Sequence, residues 1–319
     1  MSLTPGLAAS SAELSESLAD EQAPNRDALL RLPVGLHESV PESTYHARVS
    51  GMASKGALDW IDEVPAKYKA WLDWELEDSE TKALRLGVAT HMAVLEPEKF
   101  SRTYIIEPDF GPCRKNDPLG VSSEAAKENK KRRDDWRDRH KGARLLPADS
   151  GRQLLGMVQS IRADKACRRI FERAGRSEIT ARWDDPDTGL PCKSRMDHYV
   201  LDDSLALVVD VKTCLNARWD AFTRAIHSMR YDVQDQHYRE GLTRLNQPVD
   251  GFVFIAVEKT PPYLCAAYQI RAEDLIGAKG ALRRNMATLA ECTRTGLYPG
   301  YTDGGIVELS LPPYMRREP

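Results

Sequence analysis

The stretch Cys192–Lys212, CKSRMDHYVLDDSLALVVDVK, decides the fold. Two β-prone runs flank the turn-forming LDDS at 201–204, and a third, EITARW at 178–183, precedes them across DPDTG at 185–189. That alternation predicts a three-stranded antiparallel meander. In VVDVK, Asp210 and Lys212 lie two apart, so a strand sends both side chains out of one face while Val209 and Val211 enter the core on the other. Asp197 closes the run SRMD thirteen residues upstream of Asp210, and a hairpin of that length returns the chain so that the two carboxylates stand side by side. Arg195 leaves the same face as Asp197 by the same alternation.

Two carboxylates a few ångströms apart repel unless they share a cation, and hard oxygen ligands with room for water suit Mg²⁺, with Mn²⁺ able to substitute. One or two ions per site are compatible with this donor set. The main-chain carbonyl of Val211, between the two functional side chains, offers a further oxygen. Lys212 then stands where it can orient or deprotonate an attacking water and offset charge building on phosphorus, the tasks of a phosphodiester hydrolase. Taken alone, an Asp-x-Lys triplet equally describes an ordinary ion pair at a strand end, so its company in the chain has to decide.

Outward from this segment, helical spacing covers 217–245, two more β-prone runs follow (GFVFIAVEKT and YLCAAYQIR), and a long helix spans about 272–294. Upstream, Leu154, Met157, Ile161, Cys167 and Ile170 recur at helical spacing, and 106–145 reads as an irregular, charged insertion. Residues 50–100 carry helical spacing in two blocks, with Ser54 as an N-cap and Pro65 as a break. The Ser-, Ala-, Glu- and Pro-rich first 44 residues lack a sustained apolar period and read as a flexible extension outside the fold. Helices, three strands, helices, two strands and a helix make residues 45–319 one α/β domain: a mixed central sheet flanked by helices, with a helical N-terminal part.

With 41% apolar residues among 319, the chain can bury a sizeable core. Its longest apolar runs, LALVV and GFVFIAV, fall far short of the ~20 residues that cross a bilayer, and its start lacks a signal pattern, so a cytoplasmic address without membrane attachment is expected. The six cysteines form no CxxC pair, which points to reduced, structural thiols. A net charge of −3 conceals an uneven distribution: residues 1–45 hold seven acidic and two basic side chains, whereas 113–145 hold eleven basic and six acidic ones. A local basic surface suffices for DNA, although KKRRDDWRDRHK also fits a solvated helix with internal ion pairs.

The company of the triplet resembles the PD-(D/E)XK nuclease superfamily, in its branch of RecB nuclease domains, lambda-type exonuclease and RecE-like exonucleases. The elements stand in that branch's order: GVATH (Gly87 to His91), SEIT (Glu178), RMD (Asp197), DVK (Asp210 and Lys212) and QDQHY (Gln234 to Tyr238). Likeness to RecE-type enzymes extends to the blocks SGMASKGALDWIDEVPAKYKAWLD, ALRLGVATHMAVLEPEKF, DTGLPCKSRMD and GIVELSLPPY, covering roughly 45–315. The tight cysteine group of iron–sulfur members is missing. The resemblance implies that Asp197 and Asp210 hold metal, that His91 is a further ligand or orients a phosphate, that Glu178 acts through water or holds Lys212, and that Gln234 and Tyr238 bond DNA phosphate or the metal's water shell; Arg195, by its place on the Asp197 face, is expected to contact a DNA phosphate, and the Val211 carbonyl to join the metal ligands. Gly87 would let its helix approach the sheet closely. It further implies 5′→3′ exonuclease action on double-stranded ends, a closed trimeric or tetrameric ring, and a single-strand annealing recombinase as partner. A related nuclease acting on single strands, flaps or internal sites shares the same residues. A noncatalytic DNA-binding protein retaining the fold is the alternative outside enzymes, and the intact acidic pair and lysine speak against it.

Overall fold

The computed structural model describes residues 25–76, 82–114, 122–302, 304–312 and 315. The chain opens with α1 (Arg26–Leu30), β1 (Gly35–His37) and α2 (Glu42–Tyr45). Helices α3 (Lys55–Glu63), α4 (Pro65–Leu72), α5 (Lys82–Leu95) and α6 (Pro97–Thr103) follow, then β2 (Tyr104–Ile106), α7 (Ser123–Arg139), β3 (Arg144–Leu146), α8 (Ala148–Ala163) and α9 (Lys165–Phe171). The meander is β4 (Gly175–Asp184), β5 (Pro191–Asp202) and β6 (Leu205–Cys214). Helices α10 (Trp219–Ser228) and α11 (Tyr231–Arg244), strands β7 (Gly251–Glu258) and β8 (Cys265–Tyr268), and helix α12 (Leu275–Thr295) complete the order.

One six-stranded sheet runs β1-β4-β5-β6-β7-β8, and β6 with β7 is its parallel pair. That parallel step follows from the connection: α10 and α11 carry the chain back across the sheet, whereas the tight turns at 185–189 and 201–204 enforce antiparallel neighbours. Helices α3, α4, α11 and α12 cover one face around Leu58, Tyr68, Met196, Phe254 and Leu282, while α5, α8 and α9 cover the other around Leu86, Met157, Val209, Val211 and Ile255. Each such fully buried aliphatic or aromatic side chain contributes roughly 1.5–3 kcal/mol through removal from water. Val209 and Val211 do enter the core opposite the face that carries Asp210 and Lys212.

Ser54 caps α3 by accepting the Ala57 amide at 3.3 Å, and the break falls at Val64, with Pro65 opening α4, where its missing N–H costs nothing. Two expectations change. Residues 25–44 are part of the fold and not a free extension: β1 pairs with β4 (Leu36 opposite Ala181), and Leu29 is buried with Ala47, Val49 and Met52. A three-residue edge strand has too few positions to show a period, and its partner lies far along the chain. Residues 1–24 lie outside the described residues. The charged insertion contains the regular helix α7, started by Ser122, whose hydroxyl accepts the Ala125 amide. Only Ala126 is buried along it, so it lacks the apolar stripe that marks a helix in sequence. The apolar run after it is two helices, α8 and α9, broken at Asp164.

Candidate active site

Side-chain alternation in the meander breaks at one point. Met196 and Tyr199, three apart on β5, both join the core beneath α3 and α11. Opposite, Glu178 takes a left-handed conformation (φ +55°), between the Ser177–His198 and Ile179–Met196 pairs. A bulky residue there stores of order 1–3 kcal/mol of strain, the kind of outlier that clusters at functional sites. On the other side of β5, the ladder to β6 ends at His198–Val209, one step before Asp197 would face Asp210. Asp197 Oδ2 instead accepts the main-chain amide of Val211 at 2.7 Å. An extended residue sends its N–H and C=O from the same edge, so the Val211 carbonyl also leaves toward this gap.

Helices close the gap from both faces. From α5, His91 brings Nδ1 to 3.3 Å from Asp197 Oδ2. From α11, Gln234 donates its side-chain amide to Asp210 Oδ1. Lys212 Nζ stands 2.7 Å from Asp210 Oδ2 and 4.6 Å from the centre of the Tyr231 ring. Burial alone would pull the Lys212 ammonium down, but Asp210, Tyr231 and Asp197 outweigh it and hold it above the ordinary lysine value. Burial raises the Asp197 carboxyl, His91 opposes that shift and Asp210 adds to it. The predicted metal residues His91, Asp197, Asp210 and Val211, together with Lys212, therefore converge on one groove of about 640 Å³.

The donors fit a hard divalent cation. Asp210 Oδ2 is buried with the Lys212 ammonium beside it, Asp197 is a desolvated carboxylate beside a second one, and a main-chain carbonyl and an imidazole stand adjacent. Glu178 lines the same groove; burial first, then the Asp197 charge, pushes its carboxyl up to about 8, against the pull of Arg195. It does not hold Lys212. Its nearest cation is Arg195, with Nη1 4.0 Å from its Oε2.

Gln234, Tyr238 and Arg195 line the groove, and each is also engaged with the protein. Gln234 is 3% exposed and positions Asp210. Tyr238 is 7% exposed and bonds to the Tyr45 side chain and the Arg195 amide. Arg195 donates to Thr180 Oγ1 at 3.1 Å and the Val40 carbonyl at 2.7 Å, and its guanidinium lies 4.2 Å over the Tyr45 ring. Gly87 also departs from its expected role: a Cβ there would meet Thr213 Oγ1 at 3.5 Å, ordinary contact, so the approach of α5 does not require glycine. Tyr231 and Tyr45 went unnoticed in the sequence. Tyr231 precedes Gln234 by three and Tyr238 by seven on α11, a one-face spacing that could have flagged it; Tyr45 sits at the edge of the segment set aside as an extension.

A mixed sheet that brings an aspartate and an Asp-x-Lys strand together between two helices defines the PD-(D/E)XK-like class. Residues 54–308 match the family described as a PDDEXK-like domain of unknown function, and the chain belongs to that family. A solved structure of an exonuclease candidate from Eubacterium rectale shares the fold, with a TM-score of 0.54 at 12% identity over 86% of this chain and 97% of its own. A second solved structure, SSO0001, aligns over 44% of this chain and 59% of its own, with a TM-score of 0.27 and 16% identity, too little to carry an argument. The curated proteins offer no match. Among the described residues, no helix is long and apolar enough to cross a membrane.

Proposed function

We propose that this protein is a divalent-metal-dependent deoxyribonuclease, Mg²⁺ being the natural ion, that digests linear double-stranded DNA from its ends in the 5′→3′ direction. The observation that carries the reading is the convergence of His91, Asp197, Asp210 and Lys212 on one groove, in the strand order of a PD-(D/E)XK site. Family membership over 54–308 supports nuclease chemistry, and fold likeness to an exonuclease candidate agrees with it.

Asp197, Asp210 and the Val211 carbonyl would hold the ion, with His91 beside Asp197. When bound, it supplies positive charge against the phosphoryl oxygens and makes water more acidic. Lys212, kept charged by the two aspartates, orients the attacking water and offsets charge developing on phosphorus. Gln234 fixes the Asp210 carboxylate, and Tyr231 fixes the Lys212 ammonium through its ring.

Direction, the preference for duplex ends, a closed trimeric or tetrameric ring and handover to a single-strand annealing recombinase rest on the RecE-like resemblance. A duplex labelled at one 5′ end, incubated with Mg²⁺ or with EDTA beside closed-circular DNA, tests the reading. Release of labelled mononucleotides at early times, only with Mg²⁺ and with the circle intact, is expected. Cleavage in EDTA would remove the metal, and cutting of the circle would replace the exonuclease with an endonuclease. Light scattering that gives a monomer at working concentration would remove the ring.

A further inference from the structure

Outside the lining of the nuclease groove, Cys167 on α9 and Cys265 on β8, 98 residues apart, bring their sulfurs to 3.4 Å. Asp164 adds a carboxylate oxygen, and the three ligand atoms lie within 4.8 Å of one another, the one such cluster of three potential ligands among the described residues. We propose that Asp164, Cys167 and Cys265 form a second metal site, for a soft or borderline divalent cation of the zinc class, which ties the start of α9 to the edge strand β8.

The geometry fits an ion better than a disulfide. Zinc–thiolate bonds of about 2.3 Å place two sulfurs of a tetrahedron about 3.8 Å apart, a few tenths of an ångström from their present separation. A disulfide needs about 2.0 Å, more than an ångström closer. Asp164 is already oriented: as the cap of α9, its Oδ1 accepts the amides of Ala166 and Cys167, each at 2.9 Å, so little freedom is lost when its carboxylate takes an ion. Cys167 is fully buried while Asp164 and Cys265 are half-buried, so one side remains open to water as a fourth ligand.

The tether also has structural use, because β8 is a four-residue edge strand whose one ladder partner among the described residues is β7. The two sites select different ions: the groove offers carboxylates, a carbonyl and an imidazole, and this one offers two thiolates.

The test is Co²⁺ titration of the full-length, reduced, metal-stripped protein, with Mg²⁺ in excess to occupy the groove. A thiolate-to-cobalt charge-transfer band saturating at one equivalent per chain is expected, absent in Cys265→Ser and weakened at least about tenfold in affinity in Asp164→Asn. Asp210→Ala should keep the band in full while losing DNA cleavage, so the two sites stand or fall separately. Half-buried Cys265 is the primary variant, since serine at fully buried Cys167 risks the fold; circular dichroism checks that Cys265→Ser is folded. No band in the reduced protein, a band that survives in Cys265→Ser, or zinc that competes nowhere with cobalt would overturn the site.

Discussion

Asp197 Oδ2 accepts the Val211 amide where the β5–β6 ladder would otherwise have continued, so one side chain both satisfies that amide and brings charge to the groove. A carboxamide can do only the first. Asp197→Asn should therefore fold, lose metal-dependent cleavage by about 10²-fold or more, and be at least as heat-stable as the parent without metal, because a buried charge beside Asp210 is gone. Thermal unfolding with and without Mg²⁺ checks this: the parent gains stability with the ion, by linkage, and the variant does not. A gain of equal size in the variant would take Asp197 out of the ligand set.

Gln234 is held against Asp210, not against solvent, so it is a positioning residue. Gln234→Ala should lower kcat about 10- to 100-fold with little change in KM for DNA, the usual cost of losing a group that orients a ligand. A rise in KM with kcat preserved would instead return Gln234 to direct DNA contact.

Two glycines should respond with opposite sign. A Cβ at Gly241, on α11, would fall 2.7 Å from the Trp183 ring, which is 2% exposed and has nowhere to go. Gly241→Ala should cost about 1–3 kcal/mol in urea unfolding. At Gly87 the same methyl meets only Thr213 Oγ1 at 3.5 Å, so Gly87→Ala should gain up to about 1 kcal/mol from helix propensity. Destabilisation of both by similar amounts would contradict the packing described for α5.

What the sequence carried and what it hid separate along physical lines. The meander, the Asp210–Lys212 pair and the helix carrying Gln234 were legible because period-two and period-3.6 patterns are local. The break at Glu178 and Asp197 was not: the register is unchanged across it, so only the backbone at Glu178 (φ +55°) and the faces taken by Met196 and Tyr199 reveal it. Arg195 looked free for phosphate because its partners come from a neighbouring strand (Thr180), from the segment read as an extension (Val40) and from the residue just after it (the Tyr45 ring). The Cys167–Cys265 contact was equally hidden, since spacing rules detect pairs near in sequence and these two meet only through tertiary packing.

Acid sensitivity of the fold should trace in part to His237. Its ring is 1% exposed, bonded to the Lys193 carbonyl and packed 4.9 Å from Trp183. Burial lowers it from 6.5 to about 4, with the Lys193 carbonyl and Asp185 opposing and Arg283 adding to the shift. Between these values the unfolded chain binds a proton that the folded chain refuses. Stability is therefore complete above pH 6.5 and is lost as pH falls toward 4, by about 2–3 kcal/mol for this group. His237→Gln retains a donor for the Lys193 carbonyl but has nothing to titrate. Urea unfolding at pH 7.5 and 4.5 should show the parent losing about 2–3 kcal/mol more than the variant over that interval, since the carboxylates common to both cancel in the difference. Equal losses would mean that the ring accepts its proton without opening the fold.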